Sequence, residues 1–286
     1  MKCFYHNDLD GHCAGALVRM YMDDDNEHYT SDDFIESDYR SLKIDGVEPG
    51  EEVIFVDYSF TETTEHYLRK LIDMGCDIIW IDHHRSSINL CKENPDFDAL
   101  EGIRSEKYSG AALTYMYLYN VDYEMIPEYV KLVSDYDTWK LDRPEPALFK
   151  LGMDAQDNDV DSNIWDQLAN LSYVQDDIIE DGKIVKRYLD LDLKSYRESY
   201  GFEATTPDGD IVYVVNRKSN SWIFGELIDK YVAVVSYVFD GTQYVYSVFS
   251  SDPNFDCSEF AESYGGGGHK GAAGFTSKHL VFVPIE

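Results

Sequence analysis

The sequence predicts an α/β protein with a parallel sheet in its first half and a smaller second sheet in its last third. Three observations carry that prediction. Short runs rich in β-branched and aromatic residues alternate with longer stretches of helical apolar period, as happens where strands and helices take turns along a chain. The 286 residues are enough for two domains at roughly 100–200 residues each. A turn-forming cluster, Thr205-Thr206-Pro207-Asp208-Gly209-Asp210, separates the two sets of strands.

In chain order, strands are expected at residues 2–6, 53–57 and 77–82. The stretches 12–22 and 62–74 between them repeat apolar residues at helical spacing, and Asp23-Asp24-Asp25 reads as a solvated loop. Apolar residues cluster again at 111–119 and 126–133, so the first domain should close in a helical segment near Trp139. Residues 161–200 are rich in charge and helix formers and read as a helical connector. Ile164, Leu168, Leu171, Ile178, Ile179, Val185 and Leu189 are its candidates for burial. Strands follow at 211–215, 232–239 and 244–250, the last two joined by the hairpin signal Asp240-Gly241. The domains are therefore expected at 1–160 and 205–286, with the connector at 161–204.

Composition limits the function. Lys and Arg number 24 against 55 Asp and Glu, a formal charge of −31. That argues against coating long DNA or an anionic membrane, which both need a basic face. The hydrophobic fraction of 44% and the 23 tyrosines are too high for a disordered acidic polymer. The N-terminus, Met1-Lys2-Cys3-Phe4-Tyr5-His6, enters polar sequence without the ~7–15 apolar residues of a secretory signal, and nothing later approaches a membrane span. Cys3, Cys13, Cys76, Cys91 and Cys257 are odd in number and lack CxxC spacing. They read as free thiols, packed as small apolar residues in a reducing cytoplasm.

Three expected strands end in Asp or His, and this is the chemically informative pattern. The first runs into His6-Asn7-Asp8-Leu9-Asp10-Gly11, the second into Asp57, the third into Asp82-His83-His84. In a parallel sheet the carboxyl ends of the strands share one edge, where ligands bind. In an extended segment His6, Asp8 and Asp10 would face one side, and Gly11 would let the chain turn into the next helix. Several carboxylates packed together shift one another's pKa unless cations neutralise them. Two divalent cations would balance four aspartates. Oxygen ligands with one or two imidazoles suit Mn²⁺, and the same donor set accepts Mg²⁺, Co²⁺ or Zn²⁺. Two such ions favour phosphoester hydrolysis.

These residues resemble a known family. His6-Asn7-Asp8-Leu9-Asp10-Gly11, the Asp57 strand end, Ile81-Asp82-His83-His84 and Val133-Ser134-Asp135 resemble the four motifs of the DHH phosphoesterase superfamily. That superfamily includes RecJ exonucleases, nanoRNases that degrade short oligonucleotides, cyclic-dinucleotide phosphodiesterases and family II pyrophosphatases. Near the C-terminus, Tyr264-Gly265-Gly266-Gly267-Gly268-His269-Lys270-Gly271-Ala272-Ala273-Gly274-Phe275 resembles the glycine-rich motif of the DHH-associated domain. The resemblance implies an N-terminal parallel-sheet DHH domain and a smaller C-terminal α/β DHH-associated domain. It makes Asp8, Asp10, Asp57, His83 and Asp135 metal ligands, with His6 as a further one and Asp137 as a rival to Asp135. It makes Asp82 the group that orients the neighbouring histidine, and it sets His84 against the reacting phosphate as a stabiliser or proton donor.

The glycine-rich motif has a physical reading of its own. Successive glycines let backbone N–H groups crowd around an anion, and His269 and Lys270 add donors and charge. A helix beginning near Lys270 would add its N-terminal partial charge. Gly266, Gly267, Gly268, His269 and Lys270 are thus candidate substrate-binding residues. One departure stands out: Ser247-Val248-Phe249-Ser250 has Phe249 where nucleotide-acting members often carry Arg. An aromatic there would pack in the core or stack on a base. Arg217, Lys218 and Arg85 are the candidates to supply the missing charge.

The resemblance, with the acidity, implies a Mn²⁺-dependent, nanoRNase-like exonuclease that degrades short RNA or DNA oligonucleotides and excludes long ones. The alternatives are a 3′,5′-bisphosphate nucleotide phosphatase, a cyclic or linear dinucleotide phosphodiesterase and, outside the enzymes, an acidic protein that mimics nucleic acid. The sequence carries no signal for oligomeric state.

Overall fold

The computed structural model describes residues 1–24, 29–38, 42–61 and 63–285. The chain divides into two compact units, Met1–Lys186 and Arg187–Glu286, each built around its own sheet.

In the first unit, β1 (Lys2–His6), β2 (Phe34–Ser37), β3 (Glu52–Val56) and β4 (Asp77–Ile81) pair in the order β2-β1-β3-β4, every pair parallel. Successive strand residues face opposite sides, so the two central strands feed two separate cores. Cys3, Tyr5, Ile54 and Val56 face one core with Leu17, Ala111, Val130, Phe149 and Trp165. Phe4, Val53 and Phe55 face the other with Leu68, Leu71, Trp80 and Phe97. The short edge strand β2 was not expected, because Phe-Ile-Glu-Ser is too brief and too mixed to stand out.

Helix α1 (Leu9–Asp24) starts three residues before the expected 12–22. Asp8 is the reason: its carboxylate accepts from Gly11 N at 3.0 Å and its carbonyl from His12 N at 2.9 Å, which caps the helix. Asp10 is therefore helical, and the expected extended alternation of His6, Asp8 and Asp10 does not form. Gly11 lies inside the helix, where a Cβ would collide with the His6 carbonyl, so its role is close approach to β1 and not the turn. Asp23 and Asp24 end α1 and are not loop residues; Asp25, like Glu62, lies outside the described residues.

Helices α2 (Glu65–Asp73), α3 (Arg85–Glu93) and α4 (Pro95–Asp98) cover one face of the sheet. Helices α5 (Gly110–Tyr119), α6 (Glu128–Asp137), α7 (Glu145–Met153) and α8 (Asn163–Asn170) contribute to the core on the other. Helix α9 (Ser172–Tyr200) runs through the division between the units. Val174, Ile178 and Ile179 belong to the first core, while Leu193, with Leu189 and Tyr196, packs on Val215, Phe224 and Val234 of the second. The stretch read as a separate connector is thus shared between the two units. Leu171, a candidate for burial, is exposed.

In the second unit, β5 (Gly201–Thr205), β6 (Ile211–Asn216), β7 (Val234–Phe239), β8 (Tyr244–Phe249), β9 (Gly267–His269) and β10 (Ala272–Ser277) pair in the order β5-β6-β7-β8-β10-β9. Only β6 and β7 run parallel. Strand β5 begins inside the expected connector. The Asp240-Gly241 turn is present, with Gly241 at φ 102° and Asp240 Oδ1 accepting from Thr242 N at 2.8 Å and Gln243 N at 2.9 Å. Helix α10 (Cys257–Glu262) packs Cys257 and Ala261 against Tyr246, Val248 and Phe275.

The glycine-rich run forms a β-hairpin, so no helix N-terminus at Lys270 adds its charge. Ala272 pairs with His269 and Gly274 with Gly267, leaving Lys270 and Gly271 at the tip. A Cβ at Gly266 would strike the Gly274 carbonyl, and one at Gly268 the Ala273 backbone, so close strand contact already accounts for two of the glycines. Among the described residues, no helix is long and apolar enough to cross a membrane. All five cysteines are free, and Cys76 is the one not fully buried.

Candidate metal centre

The carboxyl ends of β1, β3 and β4 meet at one edge of the first sheet, where His6, Asp57, Asp82, His83 and His84 leave their strands. Asp57 follows β3 directly in the left-handed region at φ 52°, is 1% exposed, and donates its N–H to Ile81 O at 2.9 Å. His6 Nδ1 donates to Asp8 Oδ2 at 2.8 Å and lies 3.9 Å from Asp57 Oδ2.

Asp10 arrives from the first turn of α1. Its carboxylate accepts from Gly110 N at 2.7 Å and Ala111 N at 3.1 Å, so it caps the N-terminus of α5 while lying beside the cluster. Gly110 has no room for a side chain, because a Cβ would lie 2.5 Å from Asp57 Cβ.

His83 is the hub. Its Nε2 stands 3.3 Å from Asp57 Oδ1, 3.3 Å from Asp137 Oδ2 and 3.9 Å from Asp10 Oδ2. Asp137 is the last residue of α6, and it, rather than Asp135, is the member of the fourth-motif pair that lies beside His83. Residues two apart on a helix point about 200° apart, so only one of the pair can face the centre. Asp135 instead accepts from Tyr123 Oη at 3.4 Å and Arg143 Nη2 at 3.5 Å.

The electrostatics are those of carboxylates packed together and withdrawn from water. Burial, and then the carboxylates of Asp10, Asp8, Asp82 and Asp137, push Asp57 well above the usual carboxylate range. Asp137 is pushed up to about 8 by burial and then by Asp10 and Asp8, with His84 opposing. Burial likewise raises Asp10 against the pull of His83. Asp8 goes the other way, to about 2, because its hydrogen bond and attraction to His6 outweigh its burial. Asp57 Oδ1 and Asp137 Oδ2 are buried without a hydrogen-bond partner. Buried, orphaned carboxylate oxygens are costly unless a cation serves them. His6, Asp8 and Asp57 offer ligand atoms within 4.8 Å of one another, as do Asp10, His83 and Asp137, and Asp57, His83 and His84. The residues present fit divalent metal.

Asp82 stands behind this edge. It is fully buried, accepts from His84 Nδ1 at 2.8 Å and takes a short hydrogen bond from Ser87 Oγ. The histidine it orients is His84. Burial opposes charge on that imidazole, but the Asp82 bond and the nearby Asp137 and Asp10 carboxylates outweigh it and raise its pKa. Ser87, which the sequence reading did not single out, is itself held by Ser59 Oγ at 3.0 Å.

The expected substrate-binding residues are placed differently. Arg85 opens α3, largely exposed, and donates to Glu106 Oε1 at 2.8 Å. In the second unit, Arg217 donates to Asp192 Oδ2 at 2.6 Å and lies 4.9 Å over the Tyr196 ring. Phe249 packs on the core of Ile223, Phe224 and Val234. His269 and Lys270 are exposed on the hairpin.

No family model matches the chain. It is 25% identical to the oligoribonuclease NrnB of Bacillus subtilis, over 98% of this chain and 73% of that protein. Among solved structures it is similar to the DHH domain of PF0399, a member of the s1p family of ribosomal proteins. The TM-score is 0.56 at 14% identity, over 95% of this chain and 81% of that one. It is also similar to PggH of Vibrio cholerae, a pGpG-specific phosphodiesterase, with a TM-score of 0.52 at 14% identity, over 97% and 92% of the two chains.

Proposed function

We propose that this chain, a phosphodiester-hydrolysing enzyme of the DHH superfamily on the branch of oligoribonuclease NrnB, degrades short oligonucleotides to mononucleotides with two divalent cations, Mn²⁺ above others. The observation that carries the reading is the convergence of Asp8, Asp10, Asp57, Asp137, His6 and His83 on one sheet edge, with two buried carboxylate oxygens that face His83 and make no hydrogen bond. His6, Asp8 and Asp57 would hold one ion, and Asp10, His83 and Asp137 the other, with Asp57 Oδ1 facing His83 from between them. Bound there, the ions supply an activated water and neutralise charge on the attacked phosphate.

The chain's own residues supply the rest. With His84 Nδ1 held by Asp82, the other nitrogen is left to give its proton to the departing ester oxygen as the P–O bond breaks and water adds to phosphorus. The Asp82 bond and the neighbouring carboxylates raise the pKa against burial, which favours the protonated form that this role needs. His269 and Lys270, exposed on the hairpin, are an anion-binding pair suited to a terminal phosphate. The charge of −31 repels long polyanions and favours short substrates.

The test is hydrolysis of end-labelled RNA and DNA of two to about twenty-four nucleotides, with Mn²⁺ and with chelator, alongside Asp57→Ala. Metal-dependent loss of the shortest chains, with longer ones spared and the variant inert, supports the reading. Hydrolysis of bisphosphate nucleotides or cyclic dinucleotides alone would replace it with one of those activities. Absence of turnover and of tightly held metal would overturn it in favour of a nucleic-acid mimic.

A further inference from the structure

The C-terminus of α6, which brings Asp137 to the metal centre, ends in an unusual way. Lys140 N donates to Asp135 O at 2.8 Å and Trp139 N to Tyr136 O at 3.2 Å, the paired hydrogen bonds of a Schellman cap. That cap requires its next residue in the left-handed region, where glycine is the usual occupant. Here the position is Trp139, at φ 55°. Among the described residues only Asp57, Asn120 and Trp139 are non-glycine residues with positive φ, and Asp57 is in the metal centre itself. A bulky side chain kept in that conformation is strained, and such strain collects where function needs it.

The strain is not repaid by burial. Trp139 is 71% exposed, whereas Trp80 and Trp165 are fully buried. Its Cα is two chain steps from that of Asp137, hence within about 7.6 Å. The indole lies on Tyr136 with ring centroids 6.3 Å apart, and its chain neighbour Lys140 reaches a cationic and aromatic cluster that stands out in a strongly acidic chain. Tyr108 and Tyr123 stack with ring centroids 4.0 Å apart, and Lys107 and Lys140 lie 4.8 and 5.3 Å over the Tyr108 ring. Neither lysine has a carboxylate within ion-pair distance among the described residues. The loop carrying Lys107 and Tyr108 leads into Gly110, which packs on Asp57. The two chain segments that bring Gly110 and Asp137 to the candidate metal centre thus also carry an exposed indole and two ammonium groups without a carboxylate partner among the described residues, Lys140 Nζ donating instead to Lys107 O at 3.2 Å.

We infer that Trp139, with Lys140 and Lys107 beside it, is the platform on which a nucleobase next to the scissile phosphate stacks. Exposed aromatics flanked by cations bind single-stranded nucleotides in this way, the ring taking the base and the ammonium groups the phosphate. The inference rests on the oligonucleotide reading above and names a specificity residue for it.

The experiment compares pApA with its two single-abasic analogues as substrates for the full chain with Mn²⁺, in wild type, Trp139→Gly and Trp139→Phe, with thermal midpoints measured in parallel. For at least one analogue, wild type should prefer the intact dinucleotide by about tenfold in kcat/KM, the discrimination a single stacked base supplies. In Trp139→Gly that preference should fall to near one, while the midpoint rises by about 2–4 °C as the cap is relieved. Trp139→Phe should keep most of the preference. A merely structural role would change all three substrates alike. An unchanged preference in Trp139→Gly, with wild type active, overturns the inference alone; a wild type inert on every substrate overturns the oligonucleotide reading and this inference with it.

Discussion

His83 shows how little tolerance the metal centre has at the level of single side chains. One imidazole nitrogen faces three carboxylates, and two carboxylate oxygens depend on whatever lies between them. Removing Asp137 should therefore cost Mn²⁺-dependent turnover about a thousandfold or more, as losses of groups acting as a unit do. Asp135→Ala, which removes the long contacts with Tyr123 and Arg143, should stay within a few-fold of wild type; equal losses in the two variants would make Asp135 the ligand. The Asp82–His84 pair makes a separate prediction. Asp82→Asn removes the partner that raises the His84 pKa, so the alkaline limb of the kcat profile should move to lower pH; an unmoved limb would take the proton-donor role from His84. Most of this centre was legible in the sequence, because Asp57, Asp82 and His83 stand at strand ends and strand ends in a parallel sheet converge. The choice between Asp135 and Asp137 was not legible. It depends on the rotation of α6 about its axis, which tertiary packing decides and a three-letter run such as Asp-Tyr-Asp does not encode.

Between residue and molecule, the elements act as clamps on the site. Helix α5 begins with its N–H groups on the Asp10 carboxylate and its first residue against Asp57. Gly110→Ala should consequently push Asp57 out of place, weakening metal binding and turnover together, while the cores behind the sheet remain folded. Titration of the variant with Mn²⁺ checks this, and wild-type affinity would show that the clamp does not matter. The elements also show where sequence reading ends. Strands with mostly buried residues were visible by composition, but β2 and β5, each with a single buried residue, were not, and they exist because neighbouring strands offer them unpaired backbone. The path of the glycine-rich run was not legible for a related reason. Glycine-rich sequence permits many backbone paths, and contact with β10 selected a hairpin, with Gly266 and Gly268 needed for its closeness. Helix α9 was legible as a helix, yet its division between two cores was not, since both halves carry similar apolar spacing.

At the scale of the whole molecule, acidity and buried carboxylates couple stability to pH, metal and salt. Asp137 titrates near 8 in the folded chain against 3.8 for the free side chain, and Asp57 is also raised. A carboxylate raised by folding contributes stability that is complete below about pH 4 and is lost as pH climbs through the folded value. His84, raised as well, contributes with the same sign. The metal-free protein should accordingly lose thermal stability progressively between about pH 4 and pH 8, the span between the free and folded values of Asp137. Metal must reverse the trend, because ligands bind cations in their deprotonated form and a bound ion stabilises the fold by about 4 kcal/mol at a thousand times its Kd. Calorimetry with chelator and with excess Mn²⁺ checks both arms, and a metal-free midpoint that rises toward pH 8 would refute the buried-carboxylate account. On the oligonucleotide reading, the net charge should limit substrate length by the same physics. Raising salt from about 0.01 to 0.15 M shortens the screening length from about 30 to 8 Å, which relieves repulsion of a long polyanion more than of a dinucleotide. The rate on a 24-mer relative to a 2-mer should therefore rise with salt. A protein that held long strands through phosphate contacts would show the opposite slope, since salt weakens such contacts in proportion to their number.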